Sequence, residues 1–439
     1  MKILTKKGMA LLTTLLFLGL VSVPATDGRA IGVGKTKTFL RDKFDESVIY
    51  IEAPSHYDYG LRVGRQNHLQ YKIINFLARF IKNCKISEKE IQDQINDMEY
   101  YCPFLLKELK GLSAGCNIKL ERLVYLQMTL SNIFGRCLSN QCTVTLSSGK
   151  ATKNNETFLT QNIDTKTGEI SRISERILRP LITLRPKVVK INTLCYKYVY
   201  LGIPVLWEFP LMNEEGLGFG GTGLILTKNE SRYIDEGQGV STFMLERLTM
   251  MTCKNVSEVA NLWKNTERAS GTYREFPHHF DNSMSVWCDK EGGILVIEQT
   301  HNHIITVFGN STDITGTKEG ILWSANHHQW LDPNLTGSVF RNENLPSYIR
   351  ADRARELLEE NYGNITIDVC KSIVRDYKGG WDKDKRDSAD ICRISDEKYP
   401  SMTNFAWIIQ PKSLCIYWTR GPPHRYRFIK KDLSRIFGE

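Results

Sequence analysis

The sequence predicts an α+β protein in which layered sheets are covered by helices, with a mostly helical N-terminal part. Two patterns indicate this fold. From about residue 43 to residue 132, apolar side chains recur at three- and four-residue spacing, which is typical of amphipathic helices. After Cys142, alternating strand-like segments dominate, and pairs of helices interrupt them. Of the 439 residues, 41% are hydrophobic and 24% are charged, a balance that excludes a disordered or collagen-like chain.

Residues 1–25 have the pattern of a secretory signal peptide. Lysines precede an apolar stretch from Met9 to Val23, and a small-residue cleavage site ends at Ala25. The stretch is shorter than the roughly 20 residues that span a bilayer, although an uncleaved membrane anchor is the alternative. No later apolar segment reaches this length without charges, so we expect no transmembrane segment in the mature chain.

Two further features are typical of the secretory pathway. The chain has 11 cysteines, which an oxidising compartment can use for disulfide bonds, although the odd number leaves at least one thiol outside intrachain pairs. Asn-x-Ser/Thr sequons, which are candidate glycosylation sites, occur at Asn155, Asn229, Asn255, Asn310, Asn334 and Asn364. We therefore expect a secreted or lysosomal glycoprotein. The formal net charge of +9 includes no long basic run, so a nucleic-acid partner is not expected.

The N-terminal part contains several predicted helices. The first is an amphipathic helix from His56 to Ile81, and a second starts near Ser87, where Glu90 completes a capping box. The segments FLLKELKGLSAGC and LERLVYLQMTLSNIF predict two more. None of them carries a pattern of catalytic residues, so we interpret them as core helices.

The second part alternates strands and helices. Its strand candidates are CTVTLSS, TFLTQNID, YKYVYLGI, SMSVWCD, GILVIEQ, HIITVFG, GILWSA, FAWIIQP and LCIYWTR. Its helix candidates are FMLERLTMMTC, SEVANLWKN, RADRARELLEENYG and IDVCKSIVRDY. The charged, glycine-containing segment 376–390 is predicted to be an exposed loop.

Short polar motifs lie at the ends of the predicted strands and turns. In chain order they are Asn140-Gln141-Cys142-Thr143, Gln161-Asn162-Ile163-Asp164, the Asn-x-x-Gly turn at 213–216, Asn326-His327 and Cys392-Arg393. The early segment HYDYGLRVG adds a Gly-x-x-x-Gly spacing, and LLKELKGLSAGCNI adds a second helical signature. From about His56 to the C-terminus, this order resembles the isopenicillin-N acyltransferase (acyl-CoA:6-aminopenicillanic acid acyltransferase) family of N-terminal-nucleophile (Ntn) cysteine hydrolases.

The resemblance implies a four-layer αββα sandwich and an enzyme that is made as an inactive precursor. The Cys142 thiol would attack the carbonyl of Gln141, and hydrolysis of the thioester would leave Cys142 as a new N-terminus. Residues 26–141 and 142–439 would then form the α and β subunits of a heterodimer. A free α-amine, with an ordinary pKa of about 7.7–8.0, can act as the base for the thiol on its own residue. The family often has glycine before the nucleophile, so Gln141 predicts slow self-cleavage.

The resemblance also implies roles for four further residues. Asp164 would lie near the new α-amine, Asn326 would donate its amide to the oxyanion, and Arg393 would pair with Asp164 or with a substrate carboxylate. Asn213 and the glycines after it would shape the substrate pocket. Structural alternatives stay open: Asp164 could end a strand, Asn326 could be a turn residue, and Arg393 could belong to a structural ion pair.

The histidine pairs suggest a competing zinc site. His301 and His303 would share one face of a strand, and 278–279 and 327–328 are further histidine pairs. No HExxH helix or Cys-x-x-Cys pair accompanies them, and adjacent histidines point to opposite faces of a strand. We therefore expect neither a metal ion nor another cofactor.

Two classes of function follow from these patterns. The first is a self-processing amidohydrolase that cleaves a small N-acyl amide through a Cys142 thioester, with water favoured over acyl transfer. Within this class, a lysosomal lipid amidase of the acid-ceramidase type is the closest alternative. The second is a catalytically silent secreted glycoprotein that binds a partner, in which Cys142 would form a disulfide bond with Cys137 or Cys116.

Overall fold

The computed structural model describes residues 49–78, 86–138, 142–166, 186–192, 195–224, 235, 237, 239–269, 283–336, 346–377, 390–393, 401–419 and 421–438. The predicted signal peptide, most of the predicted loop at 376–390, Gln141 and Asn229 lie outside these residues.

The helices, α1 to α12 in chain order, are His56–Gln66, His68–Ala78, Glu88–Tyr101, Pro103–Cys116, Leu120–Leu138, Thr242–Thr252, Val256–Lys264, Thr312–Thr315, Pro333–Thr336, Pro346–Glu360, Ile367–Val374 and Ser434–Phe437. The strands, β1 to β14, are Ile49–Ala53, Thr143–Ser147, Phe158–Lys166, Lys187–Ile191, Tyr198–Ile203, Trp207–Asn213, Gly218–Gly223, Ser283–Cys288, Ile294–Gln299, Ile304–Phe308, Ile321–Ser324, Ser401–Gln410, Cys415–Thr419 and Phe428–Asp432. Contacts among these elements divide the chain into two compact units.

The first unit comprises the described residues up to 133 and those from 186 to 209. It holds α1 to α4, most of α5 and a group of strands in which β1 is parallel to β4 and β4 is antiparallel to β5. The predicted capping box at the start of α3 is confirmed. The Ser87 side chain accepts from the Glu90 backbone N–H, and Glu90 Oε2 accepts from the Ser87 N–H at 2.6 Å.

The single helix predicted from His56 to Ile81 is wrong in its length, because the structure has two helices there. α1 ends at Gln66, and Asn67 has the non-helical angles φ −119° and ψ 23°. The Asn67 side chain donates to the Val63 carbonyl at 3.1 Å, so it competes with the backbone for that acceptor. Residues 79–81 lie outside the described residues.

Helices α1 and α4 meet in direct backbone contact. A Cβ atom on Gly60 would lie 1.9 Å from the carbonyl oxygen of Glu108, and one on Gly111 would lie 2.0 Å from that of Tyr57. The next glycine of each helix, one turn further on, makes a similar approach. The Gly-x-x-x-Gly spacing of α1 and its counterpart in α4 therefore form the surface at which the two helices pack.

The second unit comprises the described residues between 134 and 166 and between 210 and 438. Six strands form an antiparallel sheet in the order β11-β2-β3-β12-β13-β14. The end of β6 and strands β7 to β10 form a second sheet, in which each strand is antiparallel to the next. The two sheets pack face to face, with β7 against β2 and β3 and with β9 against β11.

Helices cover both outer faces of this pair of sheets. α10 packs on β11 and β2, and α11 packs on β3 and β12. On the second sheet, α7 packs on β9, and α6 is held by hydrogen bonds such as Gln299 Nε2 to Thr242 Oγ1 at 2.9 Å. This unit therefore has four layers, helix–sheet–sheet–helix, and the predicted α+β class and αββα order are confirmed.

The structure confirms the predicted strands and helices of the second part and adds strands, including the glycine-rich β7. β7 pairs along its whole length with β8. A Cβ atom on Gly220 would lie 2.7 Å from Gln161 Oε1, and Gln161 exchanges two hydrogen bonds with the Gly221 backbone at 2.5 and 2.9 Å. The glycines of β7 therefore allow the two sheets to approach each other.

Disulfide bonds, expected from the number of cysteines, do not form among the cysteines whose side chains are described. Cys142 and Cys116 in particular are not joined, and most of these cysteines are buried. None of the described helices combines the length and the apolar character that crossing a bilayer requires.

Candidate active site

The antiparallel order of the six-stranded sheet brings several predicted site residues to one end of that sheet. Cys142 directly precedes β2, and Asn326 follows the end of β11, which is the neighbour of β2. On the other side of β2, Asp164 lies near the end of β3 and is paired with Thr403 near the start of β12. Because neighbouring strands run in opposite directions, the starts of β2 and β12 lie beside the ends of β11 and β3.

Arg393 reaches the same end of the sheet from the segment before β12. Its backbone N–H donates to Thr403 Oγ1 at 2.8 Å, and its carbonyl accepts from the Thr403 N–H at 3.0 Å. The four predicted catalytic residues are buried, each exposing 3% of its surface or less: Cys142, Asp164, Asn326 and Arg393. The structure thus brings them to one place, and their catalytic roles stay predictions.

Asp164 is a buried carboxyl group with one satisfied oxygen. Thr403 Oγ1 donates to Asp164 Oδ1 at 2.6 Å, whereas Oδ2 has no hydrogen-bond partner among the described residues. Burial raises the Asp164 pKa to about 6, although the charges of Arg350 and Arg393 and the Thr403 hydrogen bond oppose this rise. Asp164 can therefore gain and lose a proton close to neutral pH.

The Cys142 thiol is protonated at neutral pH. Burial, followed by the negative charge of Asp164, raises its pKa to about 12. Hydrogen bonds from the backbone of Asp164 and Gly223, together with the charge of Arg350, act in the opposite direction without cancelling the rise. A thiol in this state needs a base before it can attack a carbonyl group.

Arg350 is a residue of this site that the sequence did not single out. It lies on α10, and its Nη1 donates to the Cys142 carbonyl at 2.6 Å and to Thr143 Oγ1 at 2.9 Å. Its Nη2 donates to Asn326 Oδ1 at 2.9 Å. Burial, followed by the charge of Arg393, lowers the Arg350 pKa to about 10, so the guanidinium group still carries its charge at neutral pH.

Arg350 determines the orientation of the Asn326 amide. Since Oδ1 accepts from Arg350, Nδ2 points the other way and donates to the Gly223 carbonyl at 2.7 Å. The Asn326 backbone N–H donates to Ser347 Oγ at 2.7 Å, which holds the main chain at this position. Because the Gly223 backbone also hydrogen-bonds the Cys142 thiol, the Asn326 amide nitrogen is directed toward the surroundings of that thiol.

Asn213 lies at the turn between β6 and β7 and is fully buried. Its Nδ2 donates to the carbonyls of Met250 and Cys253 at 3.0 and 2.8 Å. Its Oδ1 accepts from the backbone N–H groups of Glu215 and Leu217 at 3.1 and 3.0 Å. These bonds join the turn to the end of α6 and use both amide hydrogens, so its contribution to substrate binding stays a prediction.

The histidines proposed for a zinc site make other contacts. His301 Nδ1 lies 2.6 Å from the Arg268 carbonyl oxygen, and His327 Nδ1 lies 2.7 Å from Ser347 Oγ. The pair at 278–279 lies outside the described residues. Within the described ranges, no group of three or more His, Cys, Asp or Glu side chains is arranged to hold a metal ion.

Glu298 holds the loop that follows Asn326, a role that its strand sequence GILVIEQ does not signal. Its Oε1 accepts from the Gln329 N–H at 2.8 Å, and its Oε2 accepts from the N–H groups of Trp330 and Leu331 at 2.9 and 2.8 Å. Burial nevertheless raises the Glu298 pKa to about 7, because three backbone donors do not fully replace the water around a carboxylate.

We expect the contribution of Glu298 to stability to depend on pH. Its pKa rises from 4.5 to about 7 on folding, so its contribution is complete at acidic pH and is lost as the pH rises through 7. Relative to Glu298→Gln, the wild-type free energy of unfolding should fall by up to about 1.4 kcal/mol per pH unit between the ordinary pKa of 4.5 and the folded-state pKa of about 7. Urea denaturation from about pH 5 to about pH 8 measures it, with the exposed Glu356→Gln as control. A difference for Glu298→Gln that stays constant with pH would contradict the expectation.

Comparison with known families bears directly on these residues. Residues 212–389 match the family model described as acyl-coenzyme A:6-aminopenicillanic acid acyl-transferase. The predicted family resemblance is confirmed. Asn326 and Arg350 lie inside the part that matches this acyltransferase family, whereas Cys142 and Arg393 lie outside it. The acyltransferase match supports an enzyme of the hydrolase or acyltransferase kind.

Solved structures also resemble the chain. One is penicillin V acylase from Agrobacterium tumefaciens, with 12% identity and a TM-score of 0.39, covering 67% of this chain and 87% of that chain. Another is a mutant of conjugated bile acid hydrolase from Clostridium perfringens, with 12% identity and a TM-score of 0.38, covering 66% of this chain and 93% of that chain. No curated relative matches the chain.

Proposed function

We propose that the chain is a self-processing cysteine amidohydrolase that cleaves a small N-acyl amide through a Cys142 thioester. One observation carries this proposal: the Cys142 thiol lies beside the ionisable Asp164, and Arg350 connects the Cys142 carbonyl to the Asn326 amide. Charged groups that are buried together cost more to desolvate than an apolar core of the same volume. A cluster of this composition is therefore better explained by chemistry than by stability.

The first reaction would be cleavage of the bond between Gln141 and Cys142. The thiolate attacks the Gln141 carbonyl carbon, the Cys142 nitrogen leaves as an amine, and water hydrolyses the resulting thioester. The products are an α subunit that ends at Gln141 and a β subunit that begins at Cys142. The new α-amine, with an ordinary pKa of about 7.7–8.0, then serves as the base in later turnovers.

The mature enzyme would use the same thiol on an N-acyl amide. The thiolate attacks the acyl carbon, the amine leaves with a proton from the α-ammonium group, and water releases the acid. Asn326 Nδ2 would donate to the oxyanion, where a lost donor raises the barrier by about 2.7–4 kcal/mol. Arg350 would hold that amide in place, Asp164 would hold the α-amine, and Arg393 would balance the charge of Asp164 or bind a substrate carboxylate.

We also propose a location in the secretory pathway, secreted or lysosomal. The pattern of residues 1–25 supports it, and so do sequon asparagines that are exposed: Asn155, Asn310, Asn334 and Asn364. Asn255 is only partly exposed, and its Oδ1 caps α7 by accepting from the Glu258 N–H at 2.9 Å. Such a location provides water but little acyl-CoA, so hydrolysis is favoured over acyl transfer.

The deciding experiment compares the intact mass and N-terminal sequence of the wild type and Cys142→Ala after incubation at acidic and neutral pH. We expect the wild type to split between Gln141 and Cys142, and the variant to stay whole. Cys370→Ala removes another buried cysteine from the core and should still split. A wild type that remains a single chain would instead favour the silent glycoprotein. Turnover of long-chain against short-chain N-acyl amides then tests the acid-ceramidase-like alternative.

A further inference from the structure

The motif Gln161-Asn162-Ile163-Asp164 contains a buried amide, Asn162, to which the proposed function gives no role. The amide of Gln161 joins the two sheets through the Gly221 backbone. Asn162 lies on β3 two residues before Asp164, and side chains two apart on a strand project from the same face. The Asn162 side chain and the Asp164 carboxyl group therefore point to the same side of the sheet.

Asn162 donates to two backbone carbonyls on that side. Its Nδ2 lies 3.0 Å from the carbonyl oxygen of Val374 and 2.7 Å from that of Ile391. Val374 is the last residue of α11, so its carbonyl has no partner from the helix ladder. Ile391 belongs to the short segment that leads to Arg393. One side chain of β3 thus connects the end of a helix to the segment that carries a predicted catalytic residue.

Three consecutive residues that end at Arg393 are each held from a different part of the fold. The carbonyl of the first accepts from Asn162 on β3, and the N–H of the second donates to the Asp376 carbonyl at 2.8 Å. Arg393 itself exchanges two hydrogen bonds with Thr403, whose hydroxyl donates to Asp164. Two side chains from one face of β3, two residues apart, therefore fix the backbone of Arg393 relative to the carboxyl group.

The position of Arg393 matters because the charges of the site are buried together. The charged and ionisable groups that act on Asp164 or respond to its charge are Arg350 from α10, Arg393, and the thiols of Cys142 and Cys392. The Coulomb energy of such groups varies inversely with their distance, and burial reduces the screening by water. A displaced Arg393 guanidinium would therefore change the charge state of the carboxyl group that holds the α-amine.

Building on the proposed function, we propose that Asn162 is a positioning residue that holds Arg393 at a fixed distance from Asp164. It does not touch the reacting atoms and acts through the backbone of residues 391–393. Without its two hydrogen bonds, this segment loses its attachment to β3, and Arg393 moves relative to the carboxyl group. Asn162 and Asp164 of the motif then act together, because one supplies the carboxylate and the other places the opposite charge beside it.

A double-mutant cycle in the full chain tests this role. Turnover of a fluorogenic N-acyl aminocoumarin is divided by the amount of the fragment that begins at Cys142. Asn162→Leu keeps the branched shape of the side chain and removes both donors, so we expect turnover to fall roughly 10–10²-fold. In an Arg393→Met background, the same substitution should lower turnover by less than about threefold, because the residue through which it acts is already absent.

The pH profile of turnover separates displacement of Arg393 from a general loss of stability. Burial raises the Asp164 pKa, and the charge of Arg393 opposes this rise. Asn162→Leu should therefore raise this pKa further and move the acidic limb to higher pH. Thr160→Val is the matched control, since it removes a buried hydrogen bond of 2.6 Å to Thr145 from the same face of β3. The control should keep the wild-type limb and lose less than about threefold in turnover.

Wild-type turnover in Asn162→Leu, or equal fold losses with and without Arg393, would overturn the positioning role. Wild-type turnover in Arg393→Met would overturn it too, because Arg393 would then need no positioning. If Asn162→Leu does not fold, Asn162→Ser, which keeps one hydroxyl donor, decides by the same cycle. The cycle is also evaluated for the rate of self-cleavage, so a slowly cleaving variant still gives a result. A wild type that neither cleaves nor turns over amides contradicts the proposed function itself, whereas an active wild type with unaffected Asn162 variants contradicts the positioning role alone.

Discussion

Replacing Arg350 with methionine is expected to slow self-cleavage and amide turnover by about 10²–10³-fold. Methionine keeps much of the side-chain volume but removes the donors to the Cys142 carbonyl, the Thr143 hydroxyl and the Asn326 amide. Each acceptor that is left buried without a donor costs about 1–3 kcal/mol. The Asn326 amide would also lose the partner that directs Nδ2 toward the surroundings of the thiol.

The same substitution should change the pH profile of cleavage. The charge of Arg350 lowers the Asp164 pKa, so removing that charge should raise this pKa further and move the acidic limb of the profile to higher pH. Arg353→Met, one turn along α10, is the control. Its ion pairs with Glu356 and Asp376 involve less buried groups and are each worth about 1 kcal/mol or less. Equal rate losses in both variants, after thermal unfolding has been compared, would contradict a specific role for Arg350.

Gly60→Ala is expected to destabilise the first unit by about 3 kcal/mol or more. The added Cβ would lie 1.9 Å from the Glu108 carbonyl oxygen and 2.8 Å from the Leu112 backbone nitrogen, and no rotamer change can relieve a contact of Cβ with backbone. Helices α1 and α4 would have to separate. In an exposed helix the same change is stabilising by about 1 kcal/mol, so the sign of the effect is diagnostic.

Urea denaturation followed by circular dichroism measures this effect. Gly111→Ala should behave like Gly60→Ala, because its Cβ would meet the Tyr57 carbonyl oxygen at 2.0 Å. Lys107→Ala, on the exposed face of α4, should stay within about 0.5 kcal/mol of the wild type. A Gly60→Ala protein of wild-type stability would mean that the two helices do not pack through these glycines.

Sequence patterns predicted the structural elements that depend only on residues close together in the chain. The capping box needs only Ser87 and Glu90, which are three residues apart. The alternating sequence of β2 predicted a strand, although both of its faces are buried, one against the second sheet and the other against α10. β7 escaped prediction because GFGGTG has too few side chains to show alternation. Its strand conformation depends on pairing with β8 and on the contact of Gly220 with Gln161 from the other sheet, and both partners are remote in sequence.

The residues of the candidate site also divide into those that local sequence predicted and those that it did not. The predicted catalytic residues could be found because their motifs lie at strand ends, which an antiparallel sheet brings together. Arg350 could not be found in this way, because the segment RADRARELLEE contains several arginines and its pattern predicts an exposed, charged helix. Only the packing of α10 on β11 and β2 buries Arg350 and leaves Arg353 partly exposed. Thr403 was missed for a similar reason, since its importance comes from its register with Asp164.

Arg393 and Thr403 hold each other in place through two hydrogen bonds, which links the substitutions that the two positions can tolerate. Each residue therefore fixes the position of the other. A residue without a hydroxyl group at position 403 should displace Arg393 and also remove the hydrogen bond to Asp164 Oδ1, because Thr403 Oγ1 makes both contacts.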